Sequence, residues 1–119
     1  MLDVILACCN EKLNETEIHW HDKKSLCIVL CSKGYPDNFK KNVVINNLDE
    51  IQLNTDEYCY HAGTKIIENK VCAIGGRVLN FVCLSDNFNK SRSKVFNLIN
   101  SLDWDGGFFR KDIGYKVID

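Results

Sequence analysis

Arg77 directly follows a glycine pair, Gly75-Gly76, and is one of three arginines in a chain with twelve lysines. In a sequence so rich in Lys, Asn and Ile, an arginine is kept where a forked guanidinium does what an ammonium cannot, which singles out Arg77 and Arg110. Glycines let backbone N–H groups approach an oxyanion without interference from Cβ, and the guanidinium adds two parallel charge-assisted hydrogen bonds. That is phosphate or carboxylate chemistry. Gly63, Thr64 and Lys65 would add backbone donors, a hydroxyl and an ammonium if the hairpin after them returns to the same end of a sheet. Each charged hydrogen bond contributes about 1.5–3 kcal/mol. The plain alternative weighs equally on spacing alone: a bulge at Gly75-Gly76, and an Arg77 paired with a surface carboxylate. In Lys33-Gly34-Tyr35-Pro36 a turn with a packed tyrosine is favoured over a ligand contact, and Arg110-Lys111-Asp112 reads as an ion cluster anchoring the C-terminus.

Several other chemistries lack support. There is no G-x4-G-K-[ST], G-x-S-x-G, H-E-x-x-H or G-x-G-x-x-G, so nucleotide-loop, hydrolase and zincin readings have no anchor. The 15 basic and 16 acidic residues leave a net charge of -1, without the basic excess of a general nucleic-acid binder. No apolar run is long enough for a membrane span, and Met1–Leu13 carries Asp3 and Glu11 in place of a basic leader. The seven cysteines include the adjacent Cys8-Cys9, form no C-x2-C pair and lie mostly in apolar runs, which favours buried thiols over disulfides or zinc. His19 and His21 share one face of an extended run, but no third ligand lies nearby.

The elements that must position these residues follow from hydropathic period. A chain of 119 residues is one domain's worth. Leu2, Ile5, Leu6, Cys9 and Leu13 recur at three- and four-residue spacing, predicting a helix of about three turns. Ile18 and Trp20, then Leu26–Cys31, read as two strands joined by a turn at His21–Ser25. Ser32–Asp37, with Gly34 and the sole proline Pro36, is a shaped loop. Val43–Ile45 and Glu57–His61 read as short strands, and Ile66-Ile67 and Val71–Ile74 as a hairpin about Glu68-Asn69-Lys70. Val78–Leu84 reads as a central strand buried on both faces, and Ser85 or Asp86 as the cap of a helix through Leu102 with Lys90, Arg92 and Lys94 on its wetter side. Three glycines and four aromatics within Trp104–Tyr115 argue for a docked C-terminal segment. The class is α+β, a small, mostly antiparallel sheet or barrel with flanking helices.

Four motifs occur in order: Ser32-Lys33-Gly34-Tyr35-Pro36, His61-Ala62-Gly63-Thr64, Gly75-Gly76-Arg77-Val78-Leu79 and Phe109-Arg110-Lys111-Asp112-Ile113-Gly114-Tyr115. On these the chain resembles the C-terminal domain of the phosphoribosylamine-glycine ligase family, ATP-grasp enzymes of de novo purine biosynthesis. The resemblance implies a biotin-carboxylase C-terminal-like fold of rudimentary single-hybrid type. It also implies one domain over 1–119, with 1–17 a helical lead-in from an upstream domain and 18–119 the sheet, helix and docked C-terminal segment. The implied reaction joins glycine to 5-phosphoribosylamine through an acyl phosphate, with ATP converted to ADP and phosphate. ATP and Mg (or Mn) would be held by upstream ATP-grasp domains, leaving no catalytic residue or metal here and a chain inactive alone in a cytoplasmic enzyme. Gly63, Thr64, Gly75, Gly76 and Arg77 would contact the phosphoribosyl group, with His61 and Lys65 as neighbours. Asn80-Phe81 and Asp37-Asn38 depart from the family's usual small residues without removing a contact. The competing expectation is a carrier or interaction module, in which Lys70 on the hairpin would bear a prosthetic group but lacks the usual flanking methionines.

Overall fold

A computed structural model of the chain describes residues 1–118. The elements run α1 (Leu2–Cys9), a 3-10 turn (Leu13–Glu15), β1 (Lys24–Ser32), β2 (Val43–Val44), β3 (Glu57–His61), β4 (Thr64–Ile67), β5 (Lys70–Ala73), β6 (Arg77–Ser85), α2 (Phe88–Asn100) and β7 (Gly107–Phe108). They build two antiparallel sheets, one ordered β3-β6-β1-β7 and one ordered β2-β5-β4. The α+β class stands, in open sheets with no closed barrel among the described residues.

The core is the face of the larger sheet on which α2 lies. Strand alternation sends Leu26, Ile28 and Leu30 of β1 and Leu79, Phe81 and Cys83 of β6 to that face, and the register pairs Leu26 with Cys83, Ile28 with Phe81 and Leu30 with Leu79. Val95, Leu98 and Ile99 of α2 close over them. Ser91, fully buried, donates to the Lys24 carbonyl at 2.7 Å and so ties the helix to the start of β1. The helix begins at Asn87, not at Ser85 or Asp86, because the Asn87 side chain accepts the Lys90 N–H at 2.9 Å. β6 is central as expected, flanked by β1 and β3. Its second face is only half-covered, since Asn80, Val82 and Leu84 are not fully buried.

The hairpin expected around Glu68-Asn69-Lys70 is present, with Glu68 and Asn69 at φ of 49° and 61° forming its two-residue tip and Lys70 beginning β5. The C-terminal segment is docked: Arg92 of α2 donates to the carbonyls of Ile113 (3.3 Å) and Lys111 (2.5 Å), and its guanidinium lies 4.3 Å from the Phe96 ring centroid. Arg92 is therefore a clamp and not a wet-face residue. The N-terminal region departs furthest from expectation. α1 spans two turns where three were expected, and Ile18 and Trp20 pair with no strand, because nothing described covers them. Burial of the thiols is also partial: Cys72 and Cys83 are buried, while Cys8, Cys9 and Cys27 are exposed.

Candidate functional site

Ser32, at the end of β1, is buried, and it fastens the loop that follows it to the glycine pair. Its N–H donates to the Gly76 carbonyl and its hydroxyl to the Gly75 carbonyl, both at 2.8 Å. The Tyr35 ring then lies flush against Gly76, where any Cβ would overlap it. Gly75 meets Gly63 equally closely: a Cβ on Gly63 would stand 2.8 Å from the Gly75 Cα and would also strike the Arg77 carbonyl. The reason for glycine at these positions is thus close backbone and ring approach, which any larger residue would block.

The N–H inventory narrows the anion idea. Gly63 donates to the Arg77 carbonyl at 3.0 Å, and Gly75 donates to the Gly63 carbonyl at 3.2 Å. Only the Gly76 N–H has no acceptor among the described residues. One backbone donor, and not a nest of them, is available.

Arg77 is aimed by a bulge. Between Leu30 and Cys31 the register with β6 slips, from Leu30 opposite Leu79 to Cys31 opposite Arg77, so Val78 is an extra residue. Simple alternation would put Arg77 on the same face as Leu79, in the core. The extra residue turns it to the opposite face, beside Cys31, where it is exposed. There it lines a cleft of about 410 Å³ with Cys27, Val29 and Cys31 of β1, Tyr35, Pro36, Phe108, Phe109, Arg110 and Ile113. A larger groove of about 720 Å³, between residues 33–40, β2 and the turn before β7, contains none of the expected phosphoribosyl-contact residues.

The three arginines differ in what they hold. Arg92 clamps the C-terminal segment. Arg110 makes a two-point ion pair with Asp112, at 3.0 and 2.5 Å, as expected of an anchoring cluster. That pairing lowers the Asp112 carboxyl below its usual value and raises the Arg110 guanidinium. Arg77 has no carboxylate and no hydrogen-bond acceptor among the described residues. The surface pairing weighed for it is not formed.

The expected site residues are only partly gathered. Gly63, Gly75, Gly76 and Arg77 meet at one joint, where β3 hands over to the smaller sheet. His61 and Thr64 bond each other at 2.9 Å across that joint, between His61 Nδ1 and Thr64 Oγ1. Lys65 lies on β4 opposite Cys72, and neither it, His61 nor Thr64 lines the cleft of Arg77. What the sequence did not bring to the site is the wall: Tyr35, Phe108 and Phe109 beside the guanidinium. The signal for it was that Tyr35 and Arg110 sit in two of the four motifs. All four meet here, through Ser32 and Tyr35, Gly63, the glycine pair with Arg77, and Arg110.

Residues 25–116 match a protein family described as "Phosphoribosylglycinamide synthetase, C domain". The chain is 36% identical over 112 residues to the phosphoribosylamine–glycine ligase of Caldanaerobacter subterraneus, covering 94% of this chain and 26% of that protein. It is 30% identical over all 119 residues to that of Brucella melitensis, covering 28% of the relative. A crystal structure of phosphoribosylamine–glycine ligase from Thermotoga maritima has the same fold, with a TM-score of 0.69 at 22% identity over 91% of this chain and 27% of that one. The chain therefore spans about a quarter of the length of the relatives it matches.

Proposed function

Since the chain belongs to the phosphoribosylglycinamide synthetase C-domain family, we propose that it is the C-terminal wall of a phosphoribosylamine–glycine ligase and that Arg77 holds the phosphate of the phosphoribosyl substrate there. The observation that carries this reading is the unpaired Arg77 guanidinium, turned out of the core by a bulge and set at an apolar cleft. A guanidinium fixed by its backbone, with a free Gly76 N–H nearby in sequence, suits a doubly charged phosphate. The apolar wall of Tyr35, Phe108 and Phe109 lowers the local dielectric and strengthens that attraction. Gly63, Thr64, Gly75, His61 and Lys65 belong to the same reading as the joint that sets the position of Arg77, and as further contacts to the sugar.

In this reading the whole ligase joins glycine to 5-phosphoribosylamine, forming ADP and phosphate, in the cytoplasm or, as the name of an Arabidopsis relative indicates for that protein, in a chloroplast. ATP and Mg supply phosphoryl activation there and are held by the remaining domains. Among the described residues no three His, Cys, Asp or Glu side chains converge to cradle a metal. The part played by this chain is to hold one substrate in line, which is where much of the rate advantage of such a reaction arises. Residues 1–17 are then the end of the preceding domain and 18–119 the wall itself.

Titration calorimetry with ribose 5-phosphate tests the site. Arg77→Ala should weaken binding about tenfold to a hundredfold, the worth of a charged hydrogen bond, while Lys41→Ala on the exposed loop before β2 should leave it unchanged. Equal effects of the two substitutions would remove Arg77 from the site.

A further inference from the structure

Arg77 and Phe108 stand on either side of one residue. Cys31 of β1 is the sheet partner of Arg77 on β6 and, across its other edge, of Phe108 on β7. Residues directly opposite one another in a sheet project to the same face, so the guanidinium and the ring rise from one row, two strand spacings or about 9–10 Å apart at the backbone. Both line the cleft of about 410 Å³. That volume falls within the range of small-molecule sites, about 300–1,000 Å³.

Both groups are also unengaged. Arg77 has no acceptor, and Phe108, 38% exposed, has no ring or cation partner among the described residues. The other rings of the cleft are committed: Phe109 is tilted against Phe96 with 5.5 Å between centroids, and Tyr35 lies against Gly76 and Phe39. An open ring on an edge strand offers a π-face on which a planar base stacks. Ribose 5-phosphate seated at Arg77 would leave that ring bare. The same group extended by a nucleobase would cover it, because the sugar separates phosphate from base as Cys31 separates Arg77 from Phe108. Arg110, the other charged residue of the lining, is held by Asp112 at two points, which leaves one cation for the ligand and suits a monophosphate better than a polyphosphate.

We propose that the cleft takes a nucleoside 5′-monophosphate, with its phosphate on Arg77 and its base against Phe108, in competition with the phosphoribosyl substrate. This rests on the reading of Arg77 as a phosphate seat and names the class of molecule that regulates access to it.

Calorimetry on the 119-residue chain with ribose 5-phosphate, adenosine 5′-monophosphate and ATP tests it. The monophosphate should bind about tenfold tighter than ribose 5-phosphate, the worth of one stacked base, and displace it. ATP should bind no tighter than the monophosphate. Phe108→Ala and Phe108→Leu should remove the tenfold gain and leave ribose 5-phosphate unchanged, while Phe108→Tyr, which keeps the ring, should retain it. Arg77→Ala should weaken both ligands by the same factor. A monophosphate no tighter than ribose 5-phosphate, with both still dependent on Arg77, would overturn the proposal and leave the substrate reading standing. Monophosphate binding that needs Arg77 and Phe108, with no binding of ribose 5-phosphate, would do the reverse. Octyl phosphate binding as tightly as the monophosphate would show that the wall selects apolar bulk and not a base, and would also overturn the proposal.

Discussion

α1 and α2 are written with the same apolar period and meet opposite fates. In α2, Val95, Leu98 and Ile99 point into the sheet and are buried, Asn87 caps the first turn and Ser91 bonds to β1. In α1, Leu2, Ile5 and Leu6 remain open, and the first turn has no side-chain cap. Amphipathic spacing thus says that a helix needs a partner surface without saying whether that surface lies in the same domain. The difference separates a part of the chain that is stabilised from within, β6 with α2, from a part whose apolar side chains the described residues leave open.

The largest test of that contrast is Phe81→Ala against Trp20→Ala. Phe81 has no exposed surface at the centre of β6, so its removal leaves a cavity and should cost about 3–5 kcal/mol, enough to unfold much of a small domain. Trp20 touches little, so its loss from the 119-residue chain should stay within about 0.5 kcal/mol. Urea unfolding followed by circular dichroism measures both. A Trp20→Ala cost of several kcal/mol would mean that the N-terminal region is already packed, and the contrast would be lost.

A smaller effect separates the clamp from the free cation. Arg92→Ala removes two hydrogen bonds to the Lys111 and Ile113 carbonyls and the contact with Phe96, and should cost about 1–2 kcal/mol after allowance for its partial exposure. It should also open residues 109–117 to protease. Arg77→Ala should leave both stability and proteolysis as they are, because the side chain has no partner among the described residues. Similar losses from the two substitutions would show that Arg77 is structural.

What the sequence revealed followed the reach of its periods. β6, α2 and the β4–β5 hairpin were legible because their patterns are local: alternation, helical spacing and a two-residue turn. Arg77 was legible from its type and its glycine neighbours. Its direction was not, because the bulge at Val78 arises from pairing with a strand about fifty residues earlier in the chain, and no local pattern records it. Gly75-Gly76 was open to two readings, and long-range contacts with Gly63, Ser32 and Tyr35 decide how its backbone is used. Ile18 and Trp20 alternate as strand residues do, but alternation does not record whether a neighbouring strand exists to pair with. The clamp made by Arg92 is invisible to helical spacing, because the segment it holds returns from the end of the chain.

The thiols carry the same contrast at its smallest scale. Cys8 and Cys9 on or beside the open stripe are exposed, whereas Cys83 lies fully buried in β6. Burial, with the Glu57 carboxylate adding to it, pushes the Cys83 thiol from 9.0 up to about 11. Only the thiolate reacts, so a disulfide reagent at pH 8 should label Cys8 and Cys9 quickly and reach Cys83 only when the domain unfolds. The sign of the pH effect follows from the same shift. Below about pH 9 the thiol is protonated in both folded and unfolded chains and stability is complete. Above it the unfolded chain releases the Cys83 proton while the folded chain keeps it, so stability falls with rising pH until about 11. Partial desolvation raises the thiols of Cys31 and Cys59 and, although its residue is exposed, that of Cys27, so the slope is shared, and Cys83→Ala should make it shallower without flattening it. Labelling of Cys83 as fast as that of Cys8 would mean that β6 is as open in the isolated chain as α1 is, and the asymmetry between the two ends of the molecule would disappear.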